Sequence, residues 1–320
     1  MSEAGLMDDG WLADRFEGNR TRLRAMAYRM LGSANDAEDA VQEAWLHVAR
    51  ADAGGVANLD GWFTTIVARV CLDMLRSRKS RREEPAGEAF APTSDSAFAS
   101  VSASAATPGA GATQDAGGPE QEAVLADSVG LALLVVLDRL APAERVAFVL
   151  HDMFGVPFEE IAGITGRSAD AARQLASRAR RRVRGEHAET GEGPASRRRL
   201  ARQRAVAEAF LAASRAGDLT ALLAVLDPDV VLHADAAAMP PGFPSVLEGA
   251  ETVARGARTA AARSRRSAVA LVDGVPGIVW APGGRLRLVL AFSYDGDRIS
   301  GIDIIADRDR LAALELAVAE

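Results

Sequence analysis

The sequence predicts a multidomain protein in which two all-α domains, the second containing a helix-turn-helix, precede an α+β domain. In residues 11–82 and 123–186, apolar residues recur at the spacing of amphipathic helices. In residues 198–320, two helical segments are followed by short apolar runs separated by turn residues, which is typical of strands. The chain has 320 residues, of which 48% are hydrophobic, so it can form more than one packed core.

Residues 11–82 are predicted to form three helices. The first ends at Gly32, and the second begins at Asp36, which we expect to be its N-cap. The third begins after Asn58, and between residues 69 and 82 it carries six basic residues and one acid. The exposed face of the second helix is acidic, with Asp36, Asp39 and Glu43.

Residues 83–122 differ in composition from the helical segments. They consist mainly of Ala, Ser, Gly, Pro, Thr and acidic residues, with no basic residue and no hydrophobic period. Such a segment buries too little apolar surface to offset the entropy lost on ordering. We therefore predict a disordered acidic linker.

Residues 123–186 are predicted to form the second helical domain. A short helix at Phe158–Thr165 is followed by Gly166, and Ser168 then caps a helix rich in arginine. A short helix, a glycine turn and a capped basic helix form the helix-turn-helix pattern. The exposed stripe of the second of these helices comprises Ala169, Asp170, Arg173, Gln174, Ser177, Arg178 and Arg181. The residues that we expect to contact DNA there are Ser168, Arg173, Gln174, Ser177, Arg178 and Arg181.

Residues 198–320 follow a polar connector at 185–197 and change structural class. Helices are predicted at Leu200–Ala216 and from Asp218 to Leu226, and a third at 250–262. Strands of a curved antiparallel sheet are predicted at 230–234, 268–272, 277–281, 286–293 and 299–305. Three polar residues occupy strand positions that can point into an apolar cone and so mark a candidate pocket: His233, Asp235 and Asp303.

The net charge of −7 conceals two basic patches. Residues 83–130 carry eight acids and no Lys or Arg, and the rest of the chain has a balance of +1. The basic residues concentrate at 69–82 and at 166–184, where seven bases accompany one acid. Two separate basic patches indicate two surfaces that bind a polyanion.

Several classes of protein are excluded. Cys71 is the one cysteine, and it and the four scattered histidines have no ligand spacing, so we expect no disulfide framework, no metal and no cofactor. The longest apolar run, Leu131–Leu137, is far shorter than the ~20 residues of a membrane span. No basic segment leads into an apolar core as in a secretory signal. The sequence thus predicts a soluble, cytoplasmic protein without a membrane partner.

Three motifs carry a resemblance to a known family. They are the acidic helix Asp36–Leu46, the segment Leu59–Arg76, and the pair Leu140–Arg145 and Phe158–Ala162 followed by the basic helix Ser168–Arg182. In this order they resemble the core-binding, −10 and −35 elements of the extracytoplasmic-function sigma factors of bacterial RNA polymerase. The third domain resembles the SnoaL-like cone that extends a subset of these proteins.

The resemblance implies an alternative sigma factor that binds core RNA polymerase and promoter DNA and catalyses no reaction. The core-binding residues would be Asp36, Asp39 and Glu43. The loop at 51–58 is placed to capture an unstacked base of the −10 element. The strand backbone there would be held by Arg69, Arg76, Arg78 and Arg81. The C-terminal domain would modulate activity, and it leaves room for a small ligand.

Two other functions remain open on the sequence. The first is a helix-turn-helix regulator fused to a SnoaL-like enzyme of the cyclase or isomerase type, in which His233 and Asp303 act as an acid–base pair. The second is a ligand-responsive repressor that uses the helix-turn-helix alone. This second alternative leaves residues 11–82 without a role.

Overall fold

The computed structural model describes residues 3–51, 56–83, 128–185, 193–239 and 244–318. The chain divides into two compact units, the first made of residues 1–88 and 137–182, the second of residues 89–136 and 183–320. The first unit thus contains most of both predicted helical domains. Except for Glu83, which ends a helix, the predicted linker at 83–122 lies outside the described residues, as do residues 186–192 of the connector.

The helical part of the chain up to residue 184 contains seven described α-helices and one π-helical turn. The helices are α1 (Glu3–Leu31), α2 (Ala34–Val48), α3 (Leu59–Glu83), α4 (Ser128–Asp138), α5 (Pro142–Phe148), α6 (Phe158–Thr165) and α7 (Ala169–Arg184). The π-helical turn, Val149–Met153, continues α5. The helical type thus changes at Val149, between α5 and the π-helical turn.

Helices α1, α2 and α3 pack around a shared aromatic cluster. The ring of Phe16 lies 5.2 Å from those of Trp45 and Phe63, measured between centroids. The predicted N-cap of α2 is wrong. Ser33 is the cap, because its hydroxyl accepts a hydrogen bond from the backbone N–H of Asp36 (3.3 Å), so α2 begins two residues before Asp36.

The helix-turn-helix is confirmed as α6, a short turn and α7. Gly166 ends α6 with φ of +68°, a left-handed conformation that glycine adopts without the steric cost of a side chain. Ser168 then caps α7 by accepting a hydrogen bond from the N–H of Ala171 (3.2 Å). The buried stripe of α7 comprises Ala172, Leu175, Ala176 and Ala179.

The second unit contains an α+β domain, as the sequence predicts. Its helices are α8 (Pro194–Ala216), α9 (Leu219–Val225), α10 (Ala250–Thr259), α11 (Ala261–Ser264) and α12 (Arg308–Ala313). Its strands are β1 (Leu226–Ala234), β2 (Val246–Glu248), β3 (Ser267–Val272), β4 (Val275–Trp280), β5 (Leu288–Asp295), β6 (Arg298–Ile305) and β7 (Leu316–Ala317). Helix α8 begins inside the predicted connector, with proline at its first position.

The seven strands form one sheet in the order β2-β1-β6-β5-β4-β3-β7. The expectation of an antiparallel sheet is wrong for one pair, because β1 and β6 run parallel. The long stretch between these two strands, which contains helices and four strands, makes a parallel pairing possible. Strands β2 and β7 have three and two residues, too few to give a periodic sequence signal.

The core of this domain lies between α8, α10 and one face of the sheet. Phe210 of α8 and Phe292 of β5 meet edge to face, with 5.4 Å between ring centroids. Gly277 of β4 is required by the close approach of β5, since a Cβ there would lie 2.6 Å from the carbonyl oxygen of Leu290. This inner face determines which strand residues can line a cavity.

Candidate functional site

Of the three acids that the sequence predicts on the exposed face of α2, two are exposed in the structure. Asp39 and Glu43 are exposed. Asp36 instead forms a salt bridge with Arg78 of α3, with 2.6 Å between Oδ2 and Nη2. Arg78 is 18% exposed and also donates to the carbonyl of Leu31. The Asp36–Arg78 pair therefore joins α2 to α3, which is neither of the roles expected for these residues.

Another acid of α2, Glu38, is bound to α1. Its carboxylate accepts a hydrogen bond from Arg20, and Arg24 lies 4.0 Å away. The hydrogen bond from Arg20 holds the pKa of Glu38 below its usual value, although partial burial opposes this effect. Asp39 and Glu43 remain as exposed acids on this helix that have no described salt bridge.

Two exposed arginines of α3 have different partners within the chain. Arg76 is exposed and lies 3.5 Å from Asp73 on its own helix. Arg69 is exposed too, but its guanidinium donates to the carbonyl of Gly163 in α6 (3.2 Å). The side chain of Arg81 and loop residues 52–55 lie outside the described parts of the chain.

An open groove of about 710 Å³ lies between α2 and α3. It is lined by acids of α2, by Arg69 and Arg78 of α3, and by apolar side chains that include Trp62 and Ile66. The sequence places Trp62 and Ile66 on the buried side of their helix, and both are half-buried in the structure. Acidic, basic and apolar groups thus meet along one groove.

Helix α7 presents the predicted DNA-contacting stripe to solvent. Gln174, Ser177 and Arg181 are exposed. Arg173 is 54% exposed, pairs with Asp170 at 2.6 Å, and places its guanidinium carbon 5.2 Å from the ring centroid of Phe158 in α6. The ring of Phe158 limits the directions in which Arg173 can point. Because Arg173 is more than half exposed, its guanidinium can still donate to an acceptor on a bound partner.

Arg178 and Arg182 of α7 share one buried carboxylate. Glu144 of α5 accepts from Arg178 Nε at 3.0 Å and from Arg182 Nη1 at 2.5 Å. It also accepts from the backbone N–H of Ala141 at 3.3 Å. Glu144 belongs to the Leu140–Arg145 motif, but its long-range partners have no local sequence signal. The carboxylate fixes α7 against α5 and holds both arginines.

The candidate pocket of the second unit is not formed as expected. His233 and Asp303 are register partners on β1 and β6, and both are exposed. They lie on the face opposite to Leu232 and Ile302, which line an apolar cavity, because successive strand residues point to opposite faces. Asp235 accepts from the backbone N–H groups of Ala306 and Asp307, each at 2.8 Å, and so fixes the end of β6.

The described residues contain no cluster of three histidine, cysteine or acidic side chains that could hold a metal ion. None of the helices that the structure describes has both the length and the hydropathy needed to cross a bilayer.

The first unit combines a helix-turn-helix whose basic stripe is exposed with a three-helix domain that carries acidic and basic surfaces. This combination defines a DNA-binding transcription protein. Residues 15–81 match the family Sigma-70 region 2, and residues 130–183 match Sigma-70, region 4. The two matches cover the helices that carry the predicted core-binding, −10 and −35 residues.

Two curated relatives agree with the family matches. The chain is 38% identical over 236 residues to the probable ECF RNA polymerase sigma factor SigI of Mycobacterium tuberculosis, which covers 74% of this chain and 72% of SigI. It is 39% identical over 240 residues to the ECF RNA polymerase sigma factor SigJ of the same species. That alignment covers 75% of this chain and 70% of SigJ. The crystal structure of SigJ is 31% identical, covers 93% of this chain and 98% of that chain, and has a TM-score of 0.42.

The chain belongs to the extracytoplasmic-function RNA polymerase sigma factors. Its function is that of an alternative sigma factor, a protein that binds core RNA polymerase and promoter DNA to start transcription.

Proposed function

We propose that the chain binds core polymerase through Asp39 and Glu43 of α2. Both side chains are exposed, and neither has a salt bridge within the described residues. Exposed charge of one sign favours a partner surface of the opposite sign and speeds its association. Asp36 takes part indirectly in this proposal, because its salt bridge with Arg78 fixes α2 against α3.

Promoter binding is assigned to two helices. Arg69 and Arg76 of α3 bind phosphates of the −10 strand. On α7, Arg173, Gln174 and Ser177 read bases of the −35 element in the major groove, and Arg181 binds a phosphate. Arg178 binds Glu144 of α5, so its main role is to position α7. The observation that carries this assignment is the exposed polar stripe of α7 directly after the helix-turn-helix turn.

The test is promoter-specific transcription with core polymerase and the purified chain. Asp39→Arg places a like charge on a surface that needs the opposite one, which costs several kcal/mol at an interface. We expect weaker core binding in a titration and reduced initiation. Glu251→Arg makes the same charge change at an exposed site on α10 and serves as the matched control. Equal core affinity for both variants would remove Asp39 from the interface.

We propose further that the C-terminal unit modulates the sigma factor and catalyses no reaction. This unit includes the last two residues of α7, and the carbonyl of Val183 accepts a hydrogen bond from the N–H of Val318, next to β7. The exposure of His233 and Asp303 gives no enclosed acid–base pair, so the enzyme alternative has no support from the described residues.

A further inference from the structure

The second unit contains a small, partly open cavity between the helices and the inner face of the sheet. Its volume is about 80 Å³. Phe210 and Leu211 of α8, Leu232 of β1, and Ile302 and Ile304 of β6 form much of its wall. Most of its remaining lining is also apolar, so hydrocarbon fits it better than water does.

Two polar atoms at this cavity lack hydrogen-bond partners. The hydroxyl of Ser214, a residue that is 3% exposed, and the Nε1 of Trp280 are buried without a partner among the described residues. Ser264 and Ser267 also line the cavity, but their hydroxyls donate to the carbonyls of Ala260 (3.3 Å) and Arg263 (3.1 Å). Buried polar groups are nearly always paired, so the two exceptions indicate where a ligand group belongs.

The chemistry of these atoms determines the chemistry of the ligand. Indole Nε1–H can only donate a hydrogen bond, and a serine hydroxyl can donate as well as accept. Arg263 is the one charged residue among the described residues of the lining, and its guanidinium carbon lies 5.7 Å from the ring centroid of Trp280. Two donors beside a positive charge fit an anionic acceptor, since hydrogen bonds to charged groups are the stronger ones.

We propose that this cavity binds a short-chain aliphatic carboxylic acid as its anion. The carboxylate accepts hydrogen bonds from Ser214 Oγ and Trp280 Nε1, and the alkyl chain packs against the leucine and isoleucine wall. The volume of about 80 Å³ is roughly half of the ~150 Å³ that takes a benzene molecule, which restricts the ligand to a few carbon atoms. The site is independent of the polymerase- and DNA-binding surfaces proposed above.

The experiment measures binding of three probes to the full-length protein by calorimetry. The probes are butyrate, 1-butanol and butylammonium, which share an alkyl group and differ in charge. We expect saturable binding of butyrate only. Equal binding of 1-butanol would overturn the assignment of an anion, and equal binding of butylammonium would overturn the donor-lined site. Failure of all three to bind would overturn the proposal.

Variants locate the binding. Ser214→Ala removes one donor and should weaken butyrate binding roughly tenfold or more, the usual range for a hydrogen bond to a charged group. Ser293→Ala changes an exposed strand serine and should leave binding unchanged. Ala257→Leu fills the cavity and should abolish binding, with circular dichroism showing that the domain is folded. Butyrate affinity that survives both Ser214→Ala and Ala257→Leu would place the ligand elsewhere.

Discussion

At the scale of single residues, several arginines of α3 and α7 already have partners within the chain. Arg69 donates to the carbonyl of Gly163, and Arg178 binds Glu144. Arg173 has an exposed pair with Asp170 on its own helix, which contributes little to stability, and its guanidinium lies over the ring of Phe158. We therefore expect Arg173 to reach a base at a smaller cost than Arg178, whose partner Glu144 is buried.

We expect Arg173→Ala to weaken binding to the preferred −35 sequence by about 1–3 kcal/mol, because a bidentate contact to a base is lost. The measurement is a titration of holoenzyme with promoter variants at one fixed salt concentration. Arg181→Ala is the control and should weaken all −35 sequences alike. If Arg173→Ala also gives a uniform loss, Arg173 contacts a phosphate and the readout moves to Gln174.

The one thiol of the chain provides a probe of folding. Burial raises the pKa of Cys71 to about 12, although the nearby charges of Arg145 and Arg78 act in the opposite direction. The reactive thiolate is therefore scarce at pH 8. We expect iodoacetamide to leave Cys71 unmodified in the native protein and to alkylate it in urea. Rapid alkylation without denaturant would show that α3 exposes this side chain in solution.

At the scale of elements, α1 and α2 are joined by the Glu38–Arg20 hydrogen bond. The pKa of Glu38 is lower in the folded chain than its usual 4.5. The pair therefore stabilises the fold above that pH, and this contribution is lost as the pH falls through the folded pKa.

We expect Glu38→Gln to lower the free energy of unfolding by about 1 kcal/mol or less at pH 7, since the pair is partly exposed. The difference from the unchanged protein should disappear in acid, as urea titrations at several pH values would show. Glu43→Gln on the same helix should have no effect at either pH. A Glu38→Gln difference that persists in acid would mean that packing, rather than charge, is responsible.

We expect alanine substitutions at Gly163 of α6 and at Gly166 of the following turn to change the free energy of unfolding in opposite directions. Gly166 has φ of +68° and Gly163 is helical, and a Cβ at either position would meet nothing within 4 Å. Gly166→Ala should cost about 1–2 kcal/mol because an L-residue must adopt a left-handed conformation. Gly163→Ala should stabilise by roughly 0.5–1 kcal/mol through a smaller entropy loss. Thermal unfolding measures both, and equal signs would contradict the turn geometry.

At the scale of the whole molecule, the hydrogen bond from Val318 to Val183, both in the second unit, suggests a test of the proposed regulation. Deletion of residues 198–320 should change promoter output substantially and leave the −35 sequence preference intact. Deletion of residues 316–320 removes β7 and the hydrogen bond to Val183, and it should change output in the same direction. Transcription in vitro with core polymerase measures both. Output and core binding equal to those of the full chain would exclude regulation by this unit.

The sequence predicts features that depend on neighbouring residues and fails on those that depend on distant ones. The glycine turn and serine cap of α7 are local, so its start is predicted correctly. The partners of Asp36 and Arg78 lie on different helices, and no local pattern pairs them. The side of the sheet on which His233 lies depends on strand register, and a shift of one residue reverses it.

The hydrogen bond between Val183 and Val318 also sets an order in time. Val318 lies 135 positions after Val183, and at about 5–20 residues per second a ribosome needs roughly 7–27 s to add these residues. During this interval α7 has been synthesised and the residue that will bind its last turn has not. A nascent chain therefore contains α7 before Val318 exists, and each newly made molecule begins without this hydrogen bond.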